Sequence, residues 1–249
     1  MNGITTIKTR IRDAITKIFF LPQEISFHSL EYLRINARRL EHLASLHLPI
    51  AGKTVLELGA GIGDHSHYFL DRKCRVTITE ARRSNLSYLR RRYPHADIRM
   101  LNLENPRLPY GARFDVVHCY GILYHLTDPQ AALAFIHKVC GKLLLLETCV
   151  SFGKEESIHP VKELGINHTQ SHAGSGCRPT RPWLYRALKK HFDYVYIPRA
   201  QPNHEQFPLD WSVPQSHGGP NRAIFIGSRI PLNNERLSEE LLTQQTRHE

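Results

Sequence analysis

The sequence predicts a doubly wound α/β fold around a mostly parallel sheet of seven strands, with an antiparallel last strand. Three observations carry this. From Lys53 to Val150, short apolar segments alternate with amphipathic ones, the pattern of strands covered on both faces by crossover helices. A glycine-rich turn, "GAGIG" at 59–63, follows the first apolar segment directly, where such a sheet passes from its first strand into a helix. No helical pattern separates the last two strand-like segments, "DYVYIP" and "RAIFIGSR", so they pair antiparallel at a sheet edge.

The elements follow in order. Ile4, Ile7, Ile11, Ile15 and Ile18 recur at helical spacing, with Lys8, Arg10, Arg12 and Lys17 elsewhere on the wheel. They predict a basic amphipathic helix, either a lid on the domain or a membrane-surface helix. A second helix spans Ser29 to Leu46, before Pro49. "TVLEL" is the first strand, and a helix from about Asp64 to Leu70 follows the glycine turn. "CRVTITE" is the second strand, ending at Glu80, and "RSNLSYLRRRYP" is a helix stopped by Pro94. "DIRMLNL" and "FDVVHCYG" are the third and fourth strands. "DPQAALAFIHKVC" is a helix with Asp128 as N-cap and Pro129 in its first turn, and "GKLLLLETCV" is the fifth strand. Ser151 to Thr180 is too long for an ordinary crossover. "PWLYRALKKHF" is a helix leading into the sixth strand, and a long connection from Gln201 to Asn221 leads to the seventh. The tail from Pro231 is polar and predicted to fray. The organisation is thus a helical extension or lid (1–50), one domain (51–230) with insertions near 151–180 and 201–221, and a polar tail (231–249).

Composition narrows the class. The 249 residues are 41% hydrophobic and 22% charged, a globular balance. No apolar run approaches the roughly 18 residues of a membrane span, and the N-terminus lacks the apolar core of a secretory signal. Cys74, Cys119, Cys140, Cys149 and Cys177 are scattered without C-x-x-C spacing, so they read as free thiols in a reducing cytoplasm. The net charge of +10 admits nucleic acid, an anionic membrane or an acidic substrate. "RRR" at 90–92 ends a helix that runs away from the ligand edge of the sheet, so it reads as a solvated helix end. Arg82 and Arg83 lie at the other end, near the ligand.

The glycines define the candidate site. Gly59 permits a tight turn, Gly61 lets backbone approach a ligand, and Gly63 allows close helix–strand packing. The helix behind them offers N–H groups at its start. The spacing is G-x-G-x-G rather than the dinucleotide G-x-G-x-x-G. Glu57, two residues ahead, repels a pyrophosphate and attracts an ammonium. A ligand with an amino-acid head and a nucleoside tail, S-adenosylmethionine, satisfies both. Glu80, ending the second strand, is placed for ribose hydroxyls, and Asn102, ending the third, for the adenine edge.

With these motifs the chain resembles the class I S-adenosylmethionine-dependent methyltransferases, whose fold is Rossmann-like. "ELGAGIG" looks like their first motif, and Glu80, Asn102 and "FDVVHCYGILYHL" fall where later motifs stand. The resemblance implies a cofactor set of Glu57, Gly59, Ala60, Gly61, Gly63, Glu80, Ala81, Asn102, Leu103 and Tyr120. "GILYHLTDP", "LLLLET" and "RPTRPWLYRALKKHF" are more specifically similar to the tRNA wobble-uridine carboxymethyl-transferring enzymes, and to uncharacterised small-molecule methyltransferases. Asn102 departs from the aspartate common in the family. Cys119, Tyr120 and Gly121 stand where metal-dependent members place carboxylates, so no catalytic metal is expected.

Methyl transfer asks for in-line alignment and exclusion of water, and a hydroxyl acceptor also asks for a base. His125, with Tyr124 beside it, follows the fourth strand and is the first candidate base, or else a packing residue. Glu147 ends the fifth strand at the ligand edge and is the second, or else binds substrate or caps the next loop. His159, His168, His172 and Cys177 in the insertion read as a zinc set, a substrate loop or a plain surface loop. Trp183, Phe207 and Trp211 either wall a pocket or pack. The expected function is methylation of an oxygen or nitrogen on a small-molecule acceptor. The alternatives are a tRNA base-modifying methyl or carboxymethyl transferase and a cofactor-binding regulator without catalysis.

Overall fold

The computed structural model describes residues 27–109, 111–163, 174–214 and 219–249. The helix predicted over 4–19, and with it His168 and His172, lies outside these residues. The described elements are helix α1 (Leu30–Ser45), β1 (Thr54–Glu57), α2 (Ser66–Leu70), β2 (Arg75–Glu80), α3 (Arg83–Arg92), β3 (Asp97–Met100), β4 (Phe114–Tyr120), a 3-10 turn (Leu123–His125), α4 (Pro129–Val139) and β5 (Cys140–Val150). Then come β6 (Ile158–Lys162), β7 (Ser175–Pro179), α5 (Arg181–Lys189), β8 (Tyr194–Pro198), β9 (Ala200–Gln201), β10 (Asn221–Ser228), β11 (Leu237–Ser238) and β12 (Thr246–Arg247).

Helix starts are set by side-chain caps. Ser29 Oγ accepts from the Tyr32 amide, Asp128 from that of Ala131, and Thr180 from that of Trp183, each satisfying an N–H that the first turn leaves without a partner. Pro129 and Pro182 sit in first turns, where the missing N–H costs nothing.

The main sheet has eight strands in the order β11-β8-β10-β5-β4-β1-β2-β3. β5, β4, β1, β2 and β3 run parallel to one another. β10 runs antiparallel between β5 and β8, so the mixed, doubly wound architecture expected from the sequence is the one observed. Strand alternation divides the core into two layers. Leu56, Val117, Leu144 and Phe225 face α4 and α5. Val55, Val116, Leu145 and Ile226 face the other way, with Leu43 of α1, Phe69 of α2 and Leu89 of α3.

Four sequence expectations are revised. The long segment from Ser151 to Thr180 contains an antiparallel hairpin, β6 with β7. The tail does not fray: Leu237 is buried, β11 extends the main sheet beside β8, and β12 pairs with β9. Three carbonyls, of Pro202, His204 and Phe207, accept from the Arg247 guanidinium. The helix after the glycine turn is only five residues long and its N-cap makes no side-chain bond, so the turn itself, not a helix end, presents the backbone there. Arg92 is not a remote solvated end. Long helical side chains lean toward the helix N-terminus, and Arg92 reaches back to the Ile62 carbonyl at 2.9 Å and to Asp64 at 2.6 Å.

Candidate active site

The site grows from a stripe on one sheet face. Glu57 of β1, His118 and Tyr120 of β4, Glu147 of β5 and Arg222 of β10 share the face that carries Val55, Val116 and Leu145. Glu57 is in register with His118, Tyr120 with Glu147, and Arg222 with Cys149. Helix α1 crosses this face with Tyr32, Ile35, Asn36 and Arg39 at helical spacing. Ile35, Phe207 and Ile224 form the apolar contact that seats it. Polar residues of a helix and polar residues of strand ends therefore meet in a buried layer.

Near the glycine turn lies a cavity of about 40 Å³, lined by Asn36, Arg39, Glu57, Asp64, His65, His118, Tyr120 and the turn itself. Glu57 is buried and accepts from Ser66 Oγ at 2.5 Å, with His118 Nδ1 at 4.0 Å from its other oxygen. Burial pushes its carboxyl up to about 7, and a cation beside it would pull it back. Burial likewise lowers His65 to about 3 and holds His118 well below the usual imidazole value. Both are neutral rings near pH 7. Among the described residues, Arg39 Nε, Asp64 Oδ2 and both ring nitrogens of His118 are buried and find no hydrogen-bond partner. Buried polar atoms are normally satisfied. A carboxylate, a guanidinium and several unpaired polar atoms around one small space suit a zwitterionic amino-acid head, so these residues fit the S-adenosylmethionine expected from the sequence.

Each glycine of the turn has positive φ: +61° at Gly59, +60° at Gly61 and +84° at Gly63. At Gly63 a Cβ would stand 2.6 Å from the Tyr93 ring and 2.8 Å from Leu89, the close packing expected there. At Gly61 a Cβ would meet the Phe27 ring at 2.8 Å. The space read from sequence as a ligand approach is therefore bordered by an aromatic ring. Ala60 lines the small cavity with the glycines. Glu80 is buried at the end of β2 and accepts from the amides of Gly61, Ala81 and Arg82, each at 2.8 Å. Burial raises its pKa although these N–H groups favour the anion. Asn102 lies two residues past β3 rather than on it. Its side chain is exposed and its oxygen accepts from the Glu104 amide at 3.0 Å, while Leu103 beside it is buried.

A second cavity, of about 340 Å³, adjoins the first. Tyr32 and Arg39 line both. His125, Tyr124, Cys149, Glu163, Arg178, Gln206 and Arg222 complete its inner wall. His125 Nδ1 stands 2.5 Å from Glu163 Oε2. Burial lowers the His125 pKa and the Glu163 carboxylate opposes that shift. Arg178 donates to Glu163 Oε1 at 3.4 Å and to the Tyr124 carbonyl at 3.2 Å.

Glu147, the second candidate base, is fully enclosed. It accepts from Arg39 at 3.0 Å and from Arg222 at 3.1 Å. Burial disfavours its anion, but the two guanidiniums outweigh that and hold its pKa below the ordinary carboxylate value. A carboxylate so held is a weak proton acceptor, and the geometry makes it a strut between two arginines. Trp183 and Trp211 pack against the core, and Phe207 packs under α1; none of them lines the large cavity. Cys177 is buried with its thiol pushed up to about 12, whereas the His159 side chain is half-exposed and bonded to Ser157, so these two do not converge. Sequence reading missed Tyr32, Asn36, Arg39, His118, Glu163, Arg178 and Arg222. Helical spacing puts Tyr32, Asn36 and Arg39 on one face of α1, but Glu31, Arg34, Arg38 and Glu41 are polar too, so nothing in the sequence set those three apart.

The chain is similar to several known proteins. Residues 55–142 match a family model described as a methyltransferase domain. The chain is 30% identical over 109 residues to a tRNA U34 carboxymethyltransferase of Wolinella succinogenes, covering 43% of this chain and 39% of that protein. It is 30% identical over 123 residues to a probable S-adenosylmethionine-dependent methyltransferase of Mycolicibacterium smegmatis, covering 47% and 48%. The chain thus spans less than half the length of these curated relatives. Among solved structures, the N-terminal domain of EvdMO1, crystallised with S-adenosylhomocysteine and D-fucose, shares the fold with a TM-score of 0.59 at 19% identity, over 78% of this chain and 82% of that one. The Burkholderia thailandensis 1,6-didemethyltoxoflavin N1-methyltransferase does so with a TM-score of 0.53 at 18% identity, over 92% and 91%.

Proposed function

We propose that this chain, which carries a class I S-adenosylmethionine-dependent methyltransferase domain, transfers a methyl group to an oxygen or nitrogen of a small molecule held in the larger cavity. The observation that carries the reading is the shared wall: Tyr32 and Arg39 line both the head-group cavity and the larger one, so donor and acceptor would meet across them. S-adenosylmethionine supplies an activated methyl on a sulfonium. The protein's share is to hold and align. Glu57 would receive the ammonium of the amino-acid head and Arg39 its carboxylate. Glu80 would accept from the ribose hydroxyls, its position fixed by three amides. His125, oriented through Nδ1 by Glu163, would take the proton of a hydroxyl or amine acceptor. Helix α1 excludes water from above.

If Glu80 holds the ribose, Glu80→Ala weakens S-adenosylhomocysteine binding by about 1–3 kcal/mol, the scale of hydrogen bonds to a charged group. Calorimetry on a variant with unchanged circular dichroism checks this, and equal affinity refutes the assignment.

A second reading, modification of a tRNA base, is supported by the 30% identity to tRNA U34 carboxymethyltransferases from two organisms and by the +10 charge. Incubation with methyl-labelled cofactor and either a metabolite extract or total tRNA separates the two. Label in a small-molecule product is expected. Label confined to tRNA overturns the first reading, and label in neither favours a regulator without catalysis.

A further inference from the structure

We propose that the acceptor is an organic acid, its carboxylate held between Arg178 and Arg222 in the larger cavity. This rests on the methyltransferase reading and deepens it. Arg178 and Arg222 both stand against the Tyr124 ring, 4.9 and 5.2 Å from its centroid. Both line the cavity, with side chains only 24% and 10% exposed. Their acidic partners are shared. Glu147 answers Arg222 and Arg39 together, and Glu163 answers Arg178 while it holds His125. Glu31 also lines the cavity but lies at its exposed rim, where water screens its charge, and accepts from Gln206. Among the described residues, the inner wall therefore sets three guanidiniums against two carboxylates.

The donor does not close this balance. Its ammonium is met by Glu57 and its carboxylate by Arg39, and its sulfonium brings one more positive charge with no counter-ion among these groups. A desolvated charge is normally matched by an opposite one. The remaining anion must then arrive with the acceptor. A planar carboxylate is the shape that a guanidinium binds through two parallel hydrogen bonds. The same positive surroundings would favour the ionised form of an acidic hydroxyl placed beside the sulfonium, which is the form that attacks.

The test is calorimetric and independent of turnover. The protein is saturated with sinefungin, whose amine preserves the donor's positive charge. Benzoate, salicylate and indole-3-carboxylate are then each titrated against their primary amides. At least one acid is expected to bind ten times more tightly than its amide. The preference should be smaller on protein saturated with S-adenosylhomocysteine, whose sulfur is neutral. In Arg178→Gln, the more exposed of the two sites, it should fall to threefold or less with sinefungin affinity retained. Acids and amides binding alike, or no acid binding at all, overturns the proposal. It also fails if a carboxylated S-adenosylmethionine outbinds S-adenosylmethionine tenfold through Arg178 while free acids show no preference, because the anion then belongs to the donor. Failure of sinefungin itself to bind is a separate result, read in the first titration, and it rejects the methyltransferase reading along with the acid proposal.

Discussion

Glu147→Ala lowers the stability of the folded protein by about 3–5 kcal/mol, the cost of removing one partner from a buried ion pair. The residue has no exposed surface, and its two oxygens serve Arg39 and Arg222 separately. Deleting it strands two largely buried guanidiniums, one contributed by a helix and one by a strand, without their shared carboxylate. Glu147→Gln keeps the shape and one acceptor oxygen, so it loses less. Urea denaturation monitored by circular dichroism measures both. A different result would follow if Glu147 were the base: turnover would fall while the denaturation midpoint stayed in place. Replacing all three charges with apolar residues of similar volume, Arg39→Met, Glu147→Leu and Arg222→Met together, should restore much of the lost stability. Buried ionic networks seldom outperform well-packed apolar ones. The variant would fold and yet lose cofactor affinity, because Arg39 would no longer answer the head-group carboxylate.

That triad also marks the limit of what the sequence revealed. Strands β1, β2, β4 and β5 were legible because alternation and apolarity are local signals. So was the cap at Asp128, written within four residues, whereas Ser29 was legible only as a helix start and its capping bond to the Tyr32 amide was not. Glu57 and Glu80 were legible as the carboxylates that end β1 and β2 at the carboxyl edge of the parallel sheet. Arg39 and Arg222 were not, since they lie 108 and 75 residues from the carboxylate that joins them, and nothing local marks a surface-type residue as buried. The C-terminal segment misled for the opposite reason. Its composition is polar, but its backbone groups are used by β8 and β9, and Arg247 is spent on carbonyls. Glu163 was hidden by its hairpin: only the pairing of β6 with β7 brings it to a histidine 38 positions earlier.

His125→Ala lowers turnover by about a hundredfold or more while cofactor affinity barely changes, the usual contribution of a positioned general base. The ring lines the large cavity rather than the head-group cavity, so its loss should leave the donor in place. The pH dependence has a definite sign. A base works unprotonated, and burial lowers this histidine's pKa against the pull of Glu163. Turnover in the wild type should therefore hold as pH falls through the ordinary imidazole value and decline only below it, and the alanine variant should lack that acid limb. Glu163→Gln separates positioning from packing. Removing the carboxylate takes away the group that raises the histidine's pKa, so the limb moves to still lower pH and the plateau rate drops, because a weaker base accepts the proton less readily. A merely structural Glu163 would change stability and leave the limb where it was. Turnover of His125→Ala near the wild-type rate, in a variant of unchanged stability, would show that alignment between the two cavities is sufficient and that the acceptor enters already ionised.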